Sequence, residues 1–146
     1  MIIVFGGSGY IGSNLCSYFS KKGKLLAGTY YSRKKEGLVY FDLKQPNIDN
    51  LAIDLQKATH AIICSGNGRL ADCHQNPEKT NKINIEGTKK LIQQCLERKI
   101  KPVFISSVRV YEGKKGNYKE TDLTNPTITY GKQKKLVEDF LIQQKK

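Results

Sequence analysis

The chain has 146 residues, which is the size of one ordinary domain with a hydrophobic core. Hydrophobic residues make up 38% of it, close to the globular norm, so an intrinsically disordered chain is not expected. Lysine and arginine outnumber aspartate and glutamate by 25 to 13, and the formal net charge of +12 favours anionic ligands without specifying one.

The lengths of the apolar runs and the spacing of the cysteines argue against several kinds of protein and site. No apolar run approaches the length of a membrane span, and the apolar N-terminus is too short and lacks the basic start of a signal peptide. We therefore expect a cytoplasmic protein with no membrane partner. None of the four cysteines has CxxC spacing, which predicts reduced thiols and no metal site. They are Cys16, Cys64, Cys73 and Cys95.

Apolar runs and helical patterns alternate from one end of the chain to the other. Strands are predicted at residues 2–5, 24–31, 37–43, 60–66 and 101–107. Helices are predicted at residues 10–23, 47–58, 76–99 and 127–146. This alternation predicts an α/β fold, a Rossmann-like doubly wound parallel sheet of about five strands with helices on both faces. No repeat or linker is visible, so we expect residues 1–146 to form one NAD(P)-binding domain.

The first predicted strand, IIVF, runs directly into the stretch GGSGYIG. Gly6, Gly9 and Gly12 would let the chain turn sharply, let the backbone approach a pyrophosphate and let the next helix pack close to the sheet. The free N–H groups of that helix would point at the bound anion. A glycine-rich turn without a ligand is the alternative, but its position at the first strand–helix junction favours a dinucleotide site.

The end of the second predicted strand bears on which dinucleotide is bound. NAD sites usually carry a carboxylate there for the adenosine ribose, whereas the stretch GTYYSRKKE has no acidic residue before Glu36. Arg33 stands where it could meet a 2′-phosphate, with Ser32 and Lys34 beside it. The pattern therefore favours NADP, with NAD as the second choice, and a merely basic loop is the alternative.

Two further stretches carry candidate catalytic groups. Tyr130 and Lys134 in TYGKQKK share one face of the last predicted helix. An ammonium group beside a phenol lowers the pKa of the phenol, which could then exchange a proton with a carbonyl or alcohol oxygen. Ser106 and Ser107 end the fifth predicted strand, where α/β proteins bind ligands, although a serine pair that caps the strand is the alternative. The long polar loop at residues 112–126 is also expected to be functional.

Together these stretches resemble the extended short-chain dehydrogenase/reductase superfamily, which contains nucleotide-sugar epimerases, dehydratases and reductases. The stretches VFGGSGYIG, INIEGTKKL, ISSVRVYEG and YGKQK are similar to that group's glycine, helix, serine and Tyr/Lys elements. Within the superfamily the chain is most similar to the dTDP-4-dehydrorhamnose reductase branch, through the segment VYEGKKGNYKETDLTNPTITYGKQK. Val108 departs from that branch, which often has an aspartate directly after the serine or threonine.

The resemblance implies a role for each matching residue. Ser107 would orient the substrate, Tyr130 would be the general acid, and Lys134 would bind the nicotinamide ribose and lower the pKa of Tyr130. The implied cofactor contacts are Gly6, Gly9, Tyr10, Ile11, Gly12, Arg33, Asp42, Leu43, Cys64, Ser65, Gly66, Asn84 and Lys134. For Asn84 the alternative is a hydrogen bond that satisfies a backbone group. The implied reaction is hydride transfer from NADPH to the 4-keto carbon of a nucleotide sugar.

Chains of the resembled family continue beyond the Tyr/Lys helix into a substrate domain, which we expect to be absent from this sequence. The sheet would then keep an open edge, so self-association or a partner protein is expected to cover it. A second function stays open, a non-catalytic NADP-binding module that regulates or docks onto a partner, as does the regulatory subunit of methionine adenosyltransferase in the same branch. Nucleic-acid binding is not expected, because no recognition motif accompanies the basic residues.

Overall fold

The computed structural model describes residues 1–144, which build one parallel sheet with helices packed against it. The strands are β1 (Ile2–Phe5), β2 (Leu25–Tyr30), β3 (Leu38–Tyr40), β4 (His60–Ile63) and β5 (Lys101–Phe104). The α-helices are α1 (Tyr10–Lys21), α2 (Leu70–Gln75), α3 (Pro77–Asn81), α4 (Thr88–Glu97) and α5 (Thr129–Gln143). A π-helical segment (Lys82–Gly87) joins α3 to α4, and 3₁₀ turns occupy Ile48–Leu51, Leu55–Lys57 and Val108–Val110.

The strands are arranged in the order β3-β2-β1-β4-β5, and every neighbouring pair is parallel. The chain moves outward from β1 to β3 and then crosses back to β4, so the direction of progress reverses between β1 and β4. Loops leave the sheet in opposite directions at such a reversal and open a crevice at the carboxyl ends of the strands. The predicted α/β Rossmann-like sheet of five strands is therefore confirmed.

The central strand β1 is covered on both faces. Ile3, Val4 and Phe5 are fully buried, although successive side chains of a strand point to opposite faces of the sheet. This explains why the strand reads as an unbroken apolar run rather than as an alternating one. The largest part of the core lies between the sheet and the last two helices, where Leu91 of α4 and Val137 of α5 are also fully buried.

Residues 47–58 do not form the single helix that their apolar spacing predicted. They form two separate 3₁₀ turns instead. The side chains of Asn47 and Asp54 each accept a hydrogen bond from the backbone N–H two residues further on, at 3.1 and 3.2 Å, and each starts a new short turn. Short polar side chains compete in this way with regular helical bonding, which the apolar pattern alone does not reveal.

The helix predicted over 76–99 is continuous but changes its pitch in the middle. The π-helical segment separates α3 from α4 and ends at Gly87. A Cβ atom on Gly87 would collide with the Leu43 carbonyl oxygen, so only glycine permits this close approach to the segment after β3. Single π turns inside helices occur frequently at functional sites.

The two terminal helices keep close to their predicted bounds. Gly23 follows α1 with φ +64°, the left-handed conformation that commonly ends a helix. The last helix begins at Thr129, two residues later than predicted, and Lys145 and Lys146 lie outside the described residues. Between residues 1 and 144, no helix combines the length and apolarity that crossing a bilayer requires.

Candidate functional site

The glycine turn between β1 and α1 is packed too tightly for side chains. Gly6 has φ +90°, and a Cβ atom there would lie 2.8 Å from the Ser65 backbone nitrogen. A Cβ atom on Gly12 would collide with the Gly6 carbonyl oxygen, so α1 rests directly on the turn. The backbone N–H of Gly6 donates to Thr29 Oγ1 at 3.0 Å and fastens the turn to β2. Larger residues would push β4 or α1 out of place.

The amino end of α1 is open to an anion. Gly9 is the N-cap residue, and no side chain caps the helix there. The first turn contains no acidic residue, so nothing within it compensates the positive end of the helix dipole. Free N–H groups in this arrangement are well suited to bind the oxygens of a phosphate group.

A cavity of about 920 Å³ opens where the strand order reverses, at the carboxyl ends of β1, β2 and β4. The glycine turn forms its floor, and the segments that follow β2, β3 and β4 form its walls. This volume is in the range of small-molecule and cofactor sites. Cationic side chains outnumber carboxylates around it. The charged lining residues are Arg33, Lys44, Arg69, Lys79, Asp42 and Asp72.

Most of the residues predicted to contact a cofactor line this cavity. They are Gly6, Gly9, Arg33, Asp42, Leu43, Cys64, Ser65 and Gly66. The residues that do not line it are Tyr10, Ile11, Gly12, Asn84 and Lys134. Tyr10 is 89% exposed and Ile11 is half exposed at the start of α1.

One end of the cavity is basic and aromatic. Arg33 lines it together with Tyr31 from the same segment and Lys44 from the segment after β3. The Nζ atom of Lys44 is 5.8 Å from the centroid of the Tyr31 ring. Asp42 accepts a hydrogen bond from the Lys44 backbone N–H at 2.8 Å. Sequence reasoning missed Tyr31 and Lys44, although each lies within two residues of a position that it did identify.

The phenol of Tyr130 lies close to the cavity wall. A Cβ atom on Gly68, which lines the cavity, would be 4.0 Å from Tyr130 Oη. The helix that carries the phenol begins tightly against the preceding turn, because a Cβ atom on Gly131 would collide with the Arg109 carbonyl oxygen. Burial raises the pKa of Tyr130, and the nearby Cys73 raises it further.

Among the described residues no hydrogen bond joins Lys134 to the Tyr130 hydroxyl, so the lowering of the Tyr130 pKa by Lys134 stays a prediction. The Nζ atom of Lys134 donates to the Ile105 carbonyl oxygen at 2.8 Å. It lies 4.4 Å from the centroid of the Phe104 ring and 5.6 Å from that of the Tyr130 ring. Burial lowers the pKa of Lys134 to about 8, against a weaker opposing effect of Cys64 and Glu138.

Ser106 and Ser107 line a second, smaller cavity. Its volume is about 610 Å³, and it lies between the end of β5, the loop after it and Glu138 of α5. Ser107 Oγ accepts a hydrogen bond from the Arg109 backbone N–H at 3.2 Å and caps the short turn that follows. Ser106 Oγ is buried and has no hydrogen-bond partner among the described residues. Ser107 therefore caps the turn after β5 rather than the strand itself, and its predicted role toward a substrate stays a prediction.

Asn84 makes the backbone contact that was its alternative role. Its side-chain amide accepts from the Asn67 N–H at 2.7 Å and donates to the Asn67 carbonyl oxygen at 2.9 Å. The backbone of the turn at residues 66–68 is therefore hydrogen-bonded on both its N–H and carbonyl sides to a residue of the π-helical segment. The amide also donates to Gln133 Oε1 at 2.7 Å, a partner that sequence reasoning missed because no local pattern signals it.

The cysteines are unpaired, as predicted. Burial raises the pKa of Cys95 to about 12 and that of Cys64 to about 11, so neither thiol is poised to react as a thiolate. Among residues 1–144, no cluster of histidine, cysteine and carboxylate side chains could hold a metal ion.

The strand order, the glycine turn and the cavity at the reversal point define a Rossmann fold with the kind of crevice in which such folds bind dinucleotides. The chain belongs to the family described as the RmlD substrate binding domain, whose model matches residues 1–146. The resemblance to the dTDP-4-dehydrorhamnose reductase branch is thereby confirmed.

Solved structures agree with this assignment. A hypothetical dTDP-4-dehydrorhamnose reductase from Sulfolobus tokodaii shares 29% identity and superposes with a TM-score of 0.84, over 96% of this chain and 51% of that one. MoeE5 in complex with UDP-glucose and NAD shares 22% identity with a TM-score of 0.86, over 97% of this chain and 48% of that one.

A third comparison extends the likeness of fold to an epimerase. The Thermus thermophilus UDP-glucose 4-epimerase, in complex with NAD, shares 20% identity with a TM-score of 0.80, over 97% of this chain and 50% of that one. At this identity, and at that of MoeE5, the likeness concerns the fold alone. The chain spans about half the length of the solved structures that it matches.

Proposed function

We propose that the chain is the cofactor-binding part of an NAD(P)-dependent oxidoreductase that reduces the 4-keto group of a nucleotide sugar. One observation carries the proposal: a cavity with a glycine floor and an open helix end lies beside the phenol of Tyr130. Membership of the RmlD family supports it, as does the Sulfolobus tokodaii protein, described as a hypothetical reductase. MoeE5 and the Thermus thermophilus epimerase bind NAD, which is consistent with a dinucleotide in the corresponding place.

The residues of the cavity fit a nicotinamide dinucleotide. The diphosphate would lie on the glycine turn, against the N–H groups at the start of α1. Asp42 and Leu43 would contact the adenosine, and Arg33 would meet a 2′-phosphate if the cofactor is NADP. The segment formed by Cys64, Ser65 and Gly66 would pass beneath the nicotinamide ribose.

The catalytic roles follow from the chemistry of each side chain. The bound cofactor supplies the hydride that adds to the keto carbon. Tyr130 donates its phenolic proton to the keto oxygen, so that the carbonyl becomes an alcohol and the phenol becomes a phenolate. Lys134 would hydrogen-bond the nicotinamide ribose and would stabilise that phenolate. Ser107 orients the keto oxygen by a hydrogen bond.

Replacing Tyr130 with phenylalanine tests the general-acid role. Tyr130→Phe removes the proton donor but keeps the ring, so turnover of a dTDP-4-keto sugar should fall by at least about a hundredfold. The dissociation constant of NADPH, measured by fluorescence titration, should stay within about twofold, since the hydroxyl is not needed to bind the diphosphate. Tyr18→Phe on α1 is the control and should change neither quantity. Equal loss of binding and turnover in Tyr130→Phe would contradict the role.

Arg33 tests the preference for NADP. Removing its guanidinium in Arg33→Ala should weaken NADPH binding by about tenfold, the effect of one lost hydrogen bond to a charged group. NADH lacks the 2′-phosphate, so its affinity should hardly change. Lys22→Ala, at the far end of α1, is the matched charge control. If Arg33→Ala weakened the binding of NADPH and NADH equally, the basic loop would have no role in choosing between the two cofactors.

A non-catalytic NADP-binding module that regulates or docks onto a partner is the second candidate. It is favoured by the position of Lys134, whose Nζ atom donates to the Ile105 carbonyl oxygen at 2.8 Å rather than to Tyr130. The two candidates differ in one result. The oxidoreductase oxidises NADPH when a dTDP-4-keto sugar is added, whereas the module binds NADPH and leaves it unchanged.

A further inference from the structure

A buried line of amide side chains connects α5 with the turn at residues 66–68. Gln133 of α5 is 2% exposed and Asn84 of the π-helical segment is 6% exposed. Asn84 Nδ2 donates to Gln133 Oε1 at 2.7 Å. Asn84 in turn holds both the N–H and the carbonyl of Asn67, as described above. One side chain therefore separates the helix of Tyr130 from the backbone of the cavity wall.

Both N–H donors of the Gln133 side chain, and its oxygen, are hydrogen-bonded inside the protein. Its Nε2 group donates to Thr80 Oγ1 at 2.8 Å and to Asn81 Oδ1 at 2.9 Å, while its Oε1 atom accepts from Asn84. A buried polar network that is fully satisfied favours one arrangement, because any other leaves unpaired groups out of contact with water. Gln133 thereby fixes which way the Asn84 amide faces, with its oxygen toward the Asn67 N–H.

Both ends of this line lie at the proposed site. At one end Gly66, Asn67 and Gly68 line the large cavity, and Gly66 has φ +145°, a conformation open to few other residues. At the other end Gln133 lies one helical turn after Tyr130 on the same helix. Gln133 and Asn84 therefore link the cavity wall to the helix that carries the phenol.

We infer that Gln133 is a positioning residue that acts through Asn84 to hold the 66–68 turn in register with Tyr130. This inference rests on the proposed function for its meaning, since the turn would pass under the cofactor. Its physical content is independent of turnover. Without Gln133 the Asn84 amide loses its fixed orientation, and the Asn67 N–H loses a stable acceptor.

The test is amide hydrogen exchange in the unliganded protein. Gln133→Met keeps the size and removes all three hydrogen bonds, so exchange of the Asn67 N–H should accelerate by about tenfold relative to the global unfolding rate. Gln94→Met is the matched control, since Gln94 also bridges distant segments, through Ile48 N at 3.0 Å and the Pro46 carbonyl oxygen at 2.8 Å. It should destabilise the protein without selectively exposing Asn67.

A second variant covers the case in which Gln133→Met does not fold. Gln133→Glu keeps an acceptor for Asn84 but removes the donors to Thr80 and Asn81, so Gln133 no longer anchors Asn84 firmly. Exchange at Asn67 should then be slower than in the methionine variant but still faster than in Gln94→Met. If neither variant exposes Asn67 more than Gln94→Met does, Gln133 is only a structural bridge and the inference fails.

NADPH titration then separates this inference from the proposed function. Where the wild type binds NADPH, Gln133→Met should bind it about tenfold more weakly, and Gln94→Met should bind it as the wild type does. Selective exposure of Asn67 in a protein that binds no dinucleotide would support the positioning role and contradict the proposed function. Unchanged exchange of the Asn67 N–H in Gln133→Met, with normal NADPH binding, would contradict the positioning role and leave the proposed function supported.

Discussion

At the scale of single residues, the site differs most from its sequence prediction in its proton chemistry. The YxxxK spacing predicts an ammonium group that lowers the pKa of the phenol. In the structure both groups are partly buried, and burial raises the pKa of Tyr130 and lowers that of Lys134. The spacing places the two side chains on one helix face, but it does not encode that the amine bonds the Ile105 carbonyl instead.

Lys134 gives the stability of the protein a measurable pH dependence. Its pKa is lowered from 10.5 to about 8, so between these two values the unfolded chain binds a proton that the native protein has released. Stability therefore rises with pH across this window, by up to about 3 kcal/mol from this residue. Urea unfolding at several pH values should show this contribution as the difference between the wild type and Lys134→Met.

The comparison of variants isolates Lys134 from other groups that titrate at high pH. The raised pKa of Cys64 has the opposite effect. As pH rises, the unfolded chain loses the thiol proton before the native protein does, so the stability of the protein falls. Because Lys134 also lowers the pKa of Cys64, both proteins are compared in a Cys64→Ser background, which removes the thiol from the difference. Lys132→Met, at an exposed position of the same helix, should show no such difference. A flat difference for Lys134→Met would mean that the amine is not desolvated.

At the scale of secondary-structure elements, the glycine turn joins fold to function. Gly12 and Gly9 lie three residues apart yet meet different constraints. A Cβ atom on Gly12 would collide with the Gly6 carbonyl oxygen, whereas one on Gly9 would approach the same atom only to 3.3 Å. Gly12 is thus required by the packing of α1 on the turn, whereas the role of Gly9 in leaving space for a diphosphate stays a prediction.

Alanine at these two positions should separate stability from binding. Gly12→Ala forces α1 away from the sheet and should lower the free energy of unfolding by about 1–3 kcal/mol, the usual effect of overpacking. Gly9→Ala should leave stability nearly unchanged and weaken NADPH binding, because its methyl group enters the space of the diphosphate. Thermal unfolding and fluorescence titration of both variants check this. Equal loss of stability in the two would contradict the distinction.

Sequence patterns predicted most elements, and the failures have physical causes. Continuous apolar runs predict buried strands, proline marks the start of a helix at Pro77, and glycine marks the end of one at Gly23. The pattern at residues 47–58 failed because Asn47 and Asp54 bond their own backbone. The π-helical segment and the partner of Asn84 could not be predicted, because Gly87 and Gln133 respond to residues more than 40 positions away.

At the scale of the whole molecule, the edge strand β5 determines how the sheet can meet a partner. The backbone N–H groups of Lys101 and Ile105 donate toward the neighbouring strand β4. Because backbone groups alternate in direction along a strand, those of Pro102 and Phe104 point toward the open edge. Pro102 therefore turns its missing N–H outward, where another strand would pair. Proline and lysine on an edge strand both discourage such pairing.

Self-association through β5 stays a prediction, and Pro102 makes it testable. We expect the apparent mass in sedimentation to exceed 16.5 kDa only at high concentration, because the edge offers few donors. Pro102→Val restores an outward N–H and should shift association to about tenfold lower concentration, a gain of one hydrogen bond. Pro126→Val in the polar loop is the control. A monomer at every concentration in both proteins would mean that no second copy covers this edge.

The proposed function requires the cavity to be a dinucleotide site that faces Tyr130. A crystal structure of the chain grown with NADPH tests this most directly. The predicted result is a diphosphate on the glycine turn at the start of α1, with the nicotinamide ring beside the hydroxyl of Tyr130. An empty cavity in the presence of excess NADPH, or a nicotinamide ring turned away from Tyr130, would contradict it.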